Sequence, residues 1–213
     1  GDREFMEALQ QEAAGLLAVE HGSLEEVAGE YAYFERYTHH GFTVFCRRPK
    51  NGGQEEVLLD TSQLADPSGN GFVDVTACKV SDCDKVLAYI VDLVGDESYE
   101  LRFRSLAASS PSSSSTGARR RSSSSSVGID WPVRLSNVRR FDFTGHGDVD
   151  RGLGVLAVYQ DAHTRRAATM TYTVIHQHSE GPLEENVLWR EDNEAAYLEV
   201  FRTKDRRCLL LSS

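Results

Sequence analysis

From residue 31 to the C-terminus the chain is divided into short apolar runs, and no long helical pattern separates one run from the next. The first, residues 31–37 (Tyr-Ala-Tyr-Phe-Glu-Arg-Tyr), alternates and is rich in aromatics, which suits a pleated, half-buried strand. His39-His40-Gly41 reads as a turn and residues 42–46 as a second strand; Pro49-Lys50-Asn51-Gly52-Gly53 is another turn and residues 56–60 a third strand. The same rhythm predicts strands over 72–79, 86–92 and 99–105, then over 137–143, 153–160, 170–176, 186–190, 197–202 and 208–211. Short strands joined by Gly, Asn, Pro and Asp turns specify antiparallel pairing, whereas parallel pairing needs crossover helices between strands. The chain is therefore expected to be all-β.

Two segments depart from this rhythm. Residues 4–18 carry Phe5, Met6, Leu9, Ala13, Leu16 and Leu17 at three- and four-residue spacing, which predicts an N-terminal α-helix capped by Asp2. Ser23 and Glu26 have the capping-box spacing of a second short turn. Residues 107–127 are of another kind: eleven of the 18 residues from 109 to 126 are serine, with Arg119-Arg120-Arg121 among them. Such a stretch buries too little apolar surface to offset its ordering entropy and reads as a disordered Ser/Arg-rich insertion. The expected organisation is a helical segment over 1–28, strands over 29–106, the insertion over 107–127 and further strands over 128–213.

Composition narrows the partners. A net charge of −10 repels phosphate backbones, so nucleic acid is not an expected partner. No apolar stretch approaches the 18 or so residues of a membrane span, and no secretory leader pattern opens the chain. The first residue is Gly1, which reads as a fragment or a processed form. Cys46, Cys78, Cys83 and Cys208 are too scattered for a disulfide framework, and no Asn-x-Ser/Thr sequon occurs; both fit a reducing, cytoplasmic setting.

A weak repeat runs through the strands. Val80-Ser81-Asp82-Cys83-Asp84-Lys85 leads into residues 86–89, and Arg202-Thr203-Lys204-Asp205-Arg206-Arg207 leads into residues 208–210. Residues 143–150 stand in the same way before 153–159. A Ser/Thr-x-Asp turn recurring every few tens of residues is the pattern of propeller blades, and a β-sandwich gives a similar one.

The order of the motifs resembles the opening of the propeller in oligopeptidase B, within the prolyl oligopeptidase family of serine peptidases. Residues 30–37 and 55–60 are similar to its first two strands, and residues 61–65 to the segment that follows. Ser81-Asp82, Leu87-Ala88-Tyr89, Asp92 and residues 95–106 are similar to "S-P-D…LAY…D…G-x-E-x-Y-x-L-R-F-x-D-L". Residues 156–161 with Thr164-Arg165-Arg166, then 176–181, 187–193 and 197–213, continue in family order. Cys83 stands where the family has proline, Gly145-His146-Gly147 where "W-x-x-D" is usual, and the serine tract where a short linker is usual. The resemblance implies a partial β-propeller of four-stranded antiparallel blades preceded by an N-terminal α-helix. It implies a part that gates access of short peptides to an α/β-hydrolase domain, in an enzyme cleaving after Lys or Arg. That hydrolase domain carries the Ser-Asp-His triad and lies beyond these residues. No Gly-x-Ser-x-Gly elbow occurs here, so no catalytic residue is assigned and the chain is expected to be inactive alone. A stand-alone interaction module without peptidase activity is the alternative.

Individual residues add little chemistry. His176 and His178 share a face if residues 170–176 are a strand, but a zinc site needs three or four ligands, so no metal or cofactor is expected. Cys78 and Cys83 have the wrong spacing for a redox pair. The paired acids at 25–26, 55–56, 96–97 and 184–185 are candidates for a channel wall that attracts basic peptides. Arg119-Arg120-Arg121-Ser122 is a candidate phosphorylation or docking segment. Tyr31, Tyr33, Phe34 and Tyr37 are expected to pack in the core or at a sheet edge.

Overall fold

The computed structural model describes residues 5, 6, 9, 22–65, 71–106, 128–179, 181 and 183–213. Its strands form three four-stranded meanders and one hairpin, all antiparallel, divided between two compact units, residues 1–65 and 66–213.

The first unit holds β1 (Glu26–Ala28), β2 (Tyr31–Tyr37), β3 (Thr43–Pro49) and β4 (Glu56–Asp60), paired in chain order. Ala32, Cys46, Leu58 and Leu59 are its buried apolar residues. Arg47 is buried beside them because its charge is met twice: Nε donates to Glu56 Oε2 at 2.8 Å, and the guanidinium lies 4.2 Å from the Tyr31 ring centre. The β2–β3 turn closes on Thr38, whose N–H donates to the Phe42 carbonyl, with Gly41 at φ 81° supplying the left-handed step. Ser23 does not cap a helical turn. Its Oγ accepts the Glu35 N–H at 2.8 Å, and this brings the segment alongside β2 just before β1. Of the helix expected over 4–18, Phe5, Met6 and Leu9 are helical and exposed; the remainder lies outside the described residues.

The second unit holds three successive sheets. β5 (Asp74–Val80), β6 (Val86–Asp92), β7 (Glu100–Ser105) and β8 (Ile129–Ser136) form one; β9 (Val138–Asp148), β10 (Gly152–Gln160), β11 (Ala167–Ile175) and β12 (Glu185–Arg190) form the next. The hairpin of β13 (Glu199–Arg202) and β14 (Leu209–Ser212) follows. The second and third sheets share one core: Val86, Ala88, Ile90, Phe103 and Trp131 from one side, Phe141, Phe143, Leu153, Val155 and Ala157 from the other. Leu156, Val158 and Met170 on the opposite face of the third sheet pack against Leu198 and Val200. Both faces of β10 are thus covered, which explains its near-continuous apolar run; a strand covered on one face only would alternate.

Strand β8 was missed in the sequence, although its buried positions alternate cleanly: Trp131, Val133 and Leu135. Pro132 disguises it. As the outer strand of its sheet, β8 can lose a ladder donor there, and its register with β7 shifts at that point, between Arg102 and Arg104. The Ser/Arg-rich tract lies outside the described residues, but its flanks are paired, Ser105 opposite Ile129, so it connects β7 to β8 within one sheet.

The turn repeat is genuine at two of its three sites. Ser81 and Thr203 each donate N–H to the carbonyl five residues on (Val86, Cys208), and each side-chain oxygen accepts the N–H returning from that residue. Each turn passes a left-handed residue at its fourth position, Asp84 at φ 57° and Arg206 at φ 58°. The third site differs. Residues 143–148 stay in β9, with an irregular register against β10, and Asp148 makes the turn by accepting the N–H groups of Asp150 and Arg151.

Candidate functional site

The turns at one end of the second unit are built around aspartates at strand ends. Asp92, 2% exposed at the end of β6, accepts three backbone N–H groups: Val94 at 2.8 Å, Gly95 at 2.9 Å and Glu97 at 2.8 Å. Asp161, just after β10, accepts from His163 N, Thr164 N and Thr164 Oγ1. These bonds, the one from the Thr164 N–H first, hold its carboxyl below the ordinary aspartate range. The two turns meet at the Glu97 carbonyl, which accepts from Gln160 Nε2 at 2.8 Å and Arg165 Nη1 at 3.2 Å.

Arg166 organises the adjoining linker. Its Nη1 donates to the carbonyls of Asn193 and Ala196, and its Nη2 to that of Glu191. Backbone bonds from Glu191 to Ala168 and from Leu198 to Ala167 seal the same loop onto β11. The β10–β11 turn and this linker enclose a cleft of roughly 590 Å³ lined by Gln160, Asp161, Thr164, Arg166, Glu194 and Tyr197, among others. Among the described residues its lining holds no histidine or cysteine, so those side chains offer hydrogen-bond and charge recognition without a nucleophile–base pair.

The residues singled out in the sequence are dispersed. His176 and His178 follow the last residue of β11 and sit exposed in the β11–β12 turn, so they do not share a strand face. Among the described residues no group of three or more His, Cys, Asp or Glu side chains is placed to hold a metal. None of the four cysteines is in a disulfide; Cys83 Sγ lies 3.2 Å from Ser81 Oγ, and burial pushes the Cys46 thiol pKa up. Several paired acids are already engaged locally. Glu25 pairs with Arg48, Glu55 with Arg36, and Glu56 with Arg47, while Asp96 accepts the Ser98 N–H and Glu185 accepts from Thr171. Tyr31, Tyr33 and Phe34 are part-buried on β2, and Tyr37 is exposed with its hydroxyl on Glu35. Arg166 and Asp92, the two organising residues, were legible only as letters of a family pattern.

Four-stranded antiparallel meanders, the second and third of them packed face to face, have the form of β-propeller blades. The chain matches the prolyl oligopeptidase N-terminal β-propeller domain over residues 1–213, and it belongs to that family. Oligopeptidase B from Leishmania major shares the fold over 90% of this chain and 24% of its own, with a TM-score of 0.65 and 21% identity. Oligopeptidase B from Trypanosoma brucei, solved in a closed form with covalently bound antipain, matches 90% of this chain and 23% of its own, with a TM-score of 0.62 and 20% identity. Two relatives from Sinorhizobium fredii, the uncharacterized peptidases y4sO and y4qF, are each 38% identical, over 64 and 82 residues. Those segments are 30% and 37% of this chain and 9% and 10% of the relatives. The chain thus spans about a quarter of the solved relatives' length and aligns with about a tenth of the curated ones.

Proposed function

We propose that this chain is the substrate-gating propeller segment of an oligopeptidase B-like serine endopeptidase that hydrolyses short peptides after basic residues. The observation that carries the reading is the family match along the whole chain, joined to blades that follow one another in family order. In this reading the segment excludes folded proteins from an active site supplied by an α/β-hydrolase domain, and it performs no bond cleavage. The absence of a Gly-x-Ser-x-Gly elbow among the 213 residues supports that division of labour. Four cysteines outside any disulfide support a cytoplasmic setting.

An immunoblot of the endogenous protein with an antibody to residues 22–65 tests the reading. A band several times larger than 23.7 kDa is expected. The chain alone should leave an arginyl chromogenic peptide intact, and cleavage would refute its non-catalytic role.

A second reading, a stand-alone interaction module, draws on one observation. Val187, Leu188 and Trp189 on the outer strand β12 are about half exposed, an apolar edge of the kind that partners cover. A band near 23.7 kDa would favour it.

A further inference from the structure

A group of charged side chains occupies one face of the outer strands of the second sheet. Leu101 and Phe103 on β7, and Trp131, Val133 and Leu135 on β8, enter the core shared with the third sheet. Alternation sends the residues between them to the opposite face. Glu100, Arg102 and Arg104 of β7 therefore share that face with Asp130 and Arg134 of β8. Three cations stand there against two anions, in a chain whose net charge is −10.

The pairing within this group is uneven. Arg104 is matched: its Nε and Nη2 donate to the two oxygens of Asp130 at 2.6 and 3.1 Å. Arg102 and Arg134 have one carboxylate between them. Nε and Nη2 of Arg102 both donate to Glu100 Oε2, at 3.0 and 2.7 Å, and Nη1 of Arg134 lies 3.8 Å from the same oxygen. At that distance Arg134 makes an ion pair and no hydrogen bond, and its side chain is 55% exposed.

Register sharpens the imbalance. Arg102 and Arg134 are direct partners across β7 and β8. Like charges opposite each other on a sheet face repel and cost stability unless an anion stands between them. Glu100 supplies one charge for two guanidinium groups. On its other side Arg102 faces Tyr89 of β6, whose hydroxyl pKa is raised, by burial first, so that it contributes no negative charge. The face thus keeps one unmatched positive charge, together with guanidinium donors that no carboxylate takes up, those of Arg134 above all.

We propose that Arg102 and Arg134 form a subsite for a phosphate dianion, free or carried on a monoester. A guanidinium presents its N–H donors in a fixed fork that matches phosphate oxygens, and a dianion supplies the charge that a single carboxylate cannot. The dianion binds chiefly through Arg134, whose side chain is 55% exposed against 19% for Arg102, and relieves the repulsion across the pair. Glu100 competes with it for the same two cations.

Phosphorus NMR titration of the full chain with inorganic phosphate, at constant ionic strength and near-neutral pH, tests the subsite, with methyl phosphate as the ester arm. The native chain should shift the resonance in a saturable way. Arg134→Gln should weaken binding about tenfold, and Glu100→Gln, which removes the competing carboxylate, should strengthen it about fivefold. A merely structural network would predict no gain in Glu100→Gln. Binding of inorganic phosphate at least as strong as that of methyl phosphate assigns the free ion, and weaker binding assigns a monoester. No saturable shift with either probe, equal affinity in Arg134→Gln and the native chain, or unchanged or weaker binding in Glu100→Gln would overturn the proposal. Should Arg134→Gln fail to fold, Arg134→Lys, which keeps the charge and loses the fork, should still bind more weakly than the native chain, and equal affinity there would count against the subsite.

Discussion

At the residue scale, the turns rest on single carboxylates. Asp92, itself buried, accepts three part-buried backbone N–H groups at once, and a hydrogen bond to a charged group contributes about 1.5–3 kcal/mol. Asp92→Ala should therefore destabilise the protein by about 2 kcal/mol, measured by urea denaturation. The turn aspartates add to the acid sensitivity of the fold. Backbone N–H donors, that of Arg151 foremost, hold the Asp148 carboxyl below its ordinary range, as those of the Thr164 turn do for Asp161. The Thr203 hydroxyl, with the Arg207 N–H, does the same for Asp205. A carboxyl lowered in the folded state stabilises fully above its unfolded value, about 3.9, and loses that contribution as pH falls through the folded value. Near neutrality these groups stabilise by a constant amount, so the unfolding midpoint should not vary with pH on their account; it should fall below about pH 4, less steeply in the Asp148→Asn/Asp161→Asn double variant. Glycines are equally specific. A Cβ on Gly147, at φ 91°, would lie 1.8 Å from the Gly152 carbonyl oxygen, so Gly147→Ala should open the β9–β10 hairpin or prevent folding, seen as lost far-ultraviolet dichroism.

At the element scale, β8 shows how tertiary context outweighs local sequence. Trp131 is buried, stacks on Phe103 at 5.9 Å between ring centres, and donates Nε1–H to Ser105 Oγ at 2.7 Å. Trp131→Ala should cost about 3–5 kcal/mol in urea denaturation, although Pro132 beside it argues against a strand. Ser105 faces Ile129, a separation that a short turn can span. Replacing residues 107–127 with a short Gly/Asn turn should preserve the fold and raise stability by about 1 kcal/mol through a smaller loop-closure entropy. A collapse of that variant would show that the tract contributes contacts to the fold.

At the scale of the whole molecule, most strands were legible because their apolar runs and turn residues are local signals. Residues 31–37, 56–60 and 86–92 were read with the bounds the structure shows, since each is framed by turn residues or an abrupt change in polarity. β1 was not, having three residues with no buried side chain among them. The cleft was not legible either: Arg166 reaches carbonyls 25 to 30 residues away, a distance no local pattern encodes. Trp131 is sealed between sheets while Trp189 is about half exposed, so acrylamide should quench the fluorescence of Trp131→Phe far more than that of Trp189→Phe.

The sequence by itself determined the strand class, the antiparallel order and the turns at Ser81 and Thr203. Side-chain alternation and backbone dihedral preferences act within a few residues and need no partner. Only the tertiary structure decided which sheet receives β8 and what Arg166 holds. Those outcomes depend on burial and on distances of a few ångströms between residues far apart in the chain, which packing alone sets.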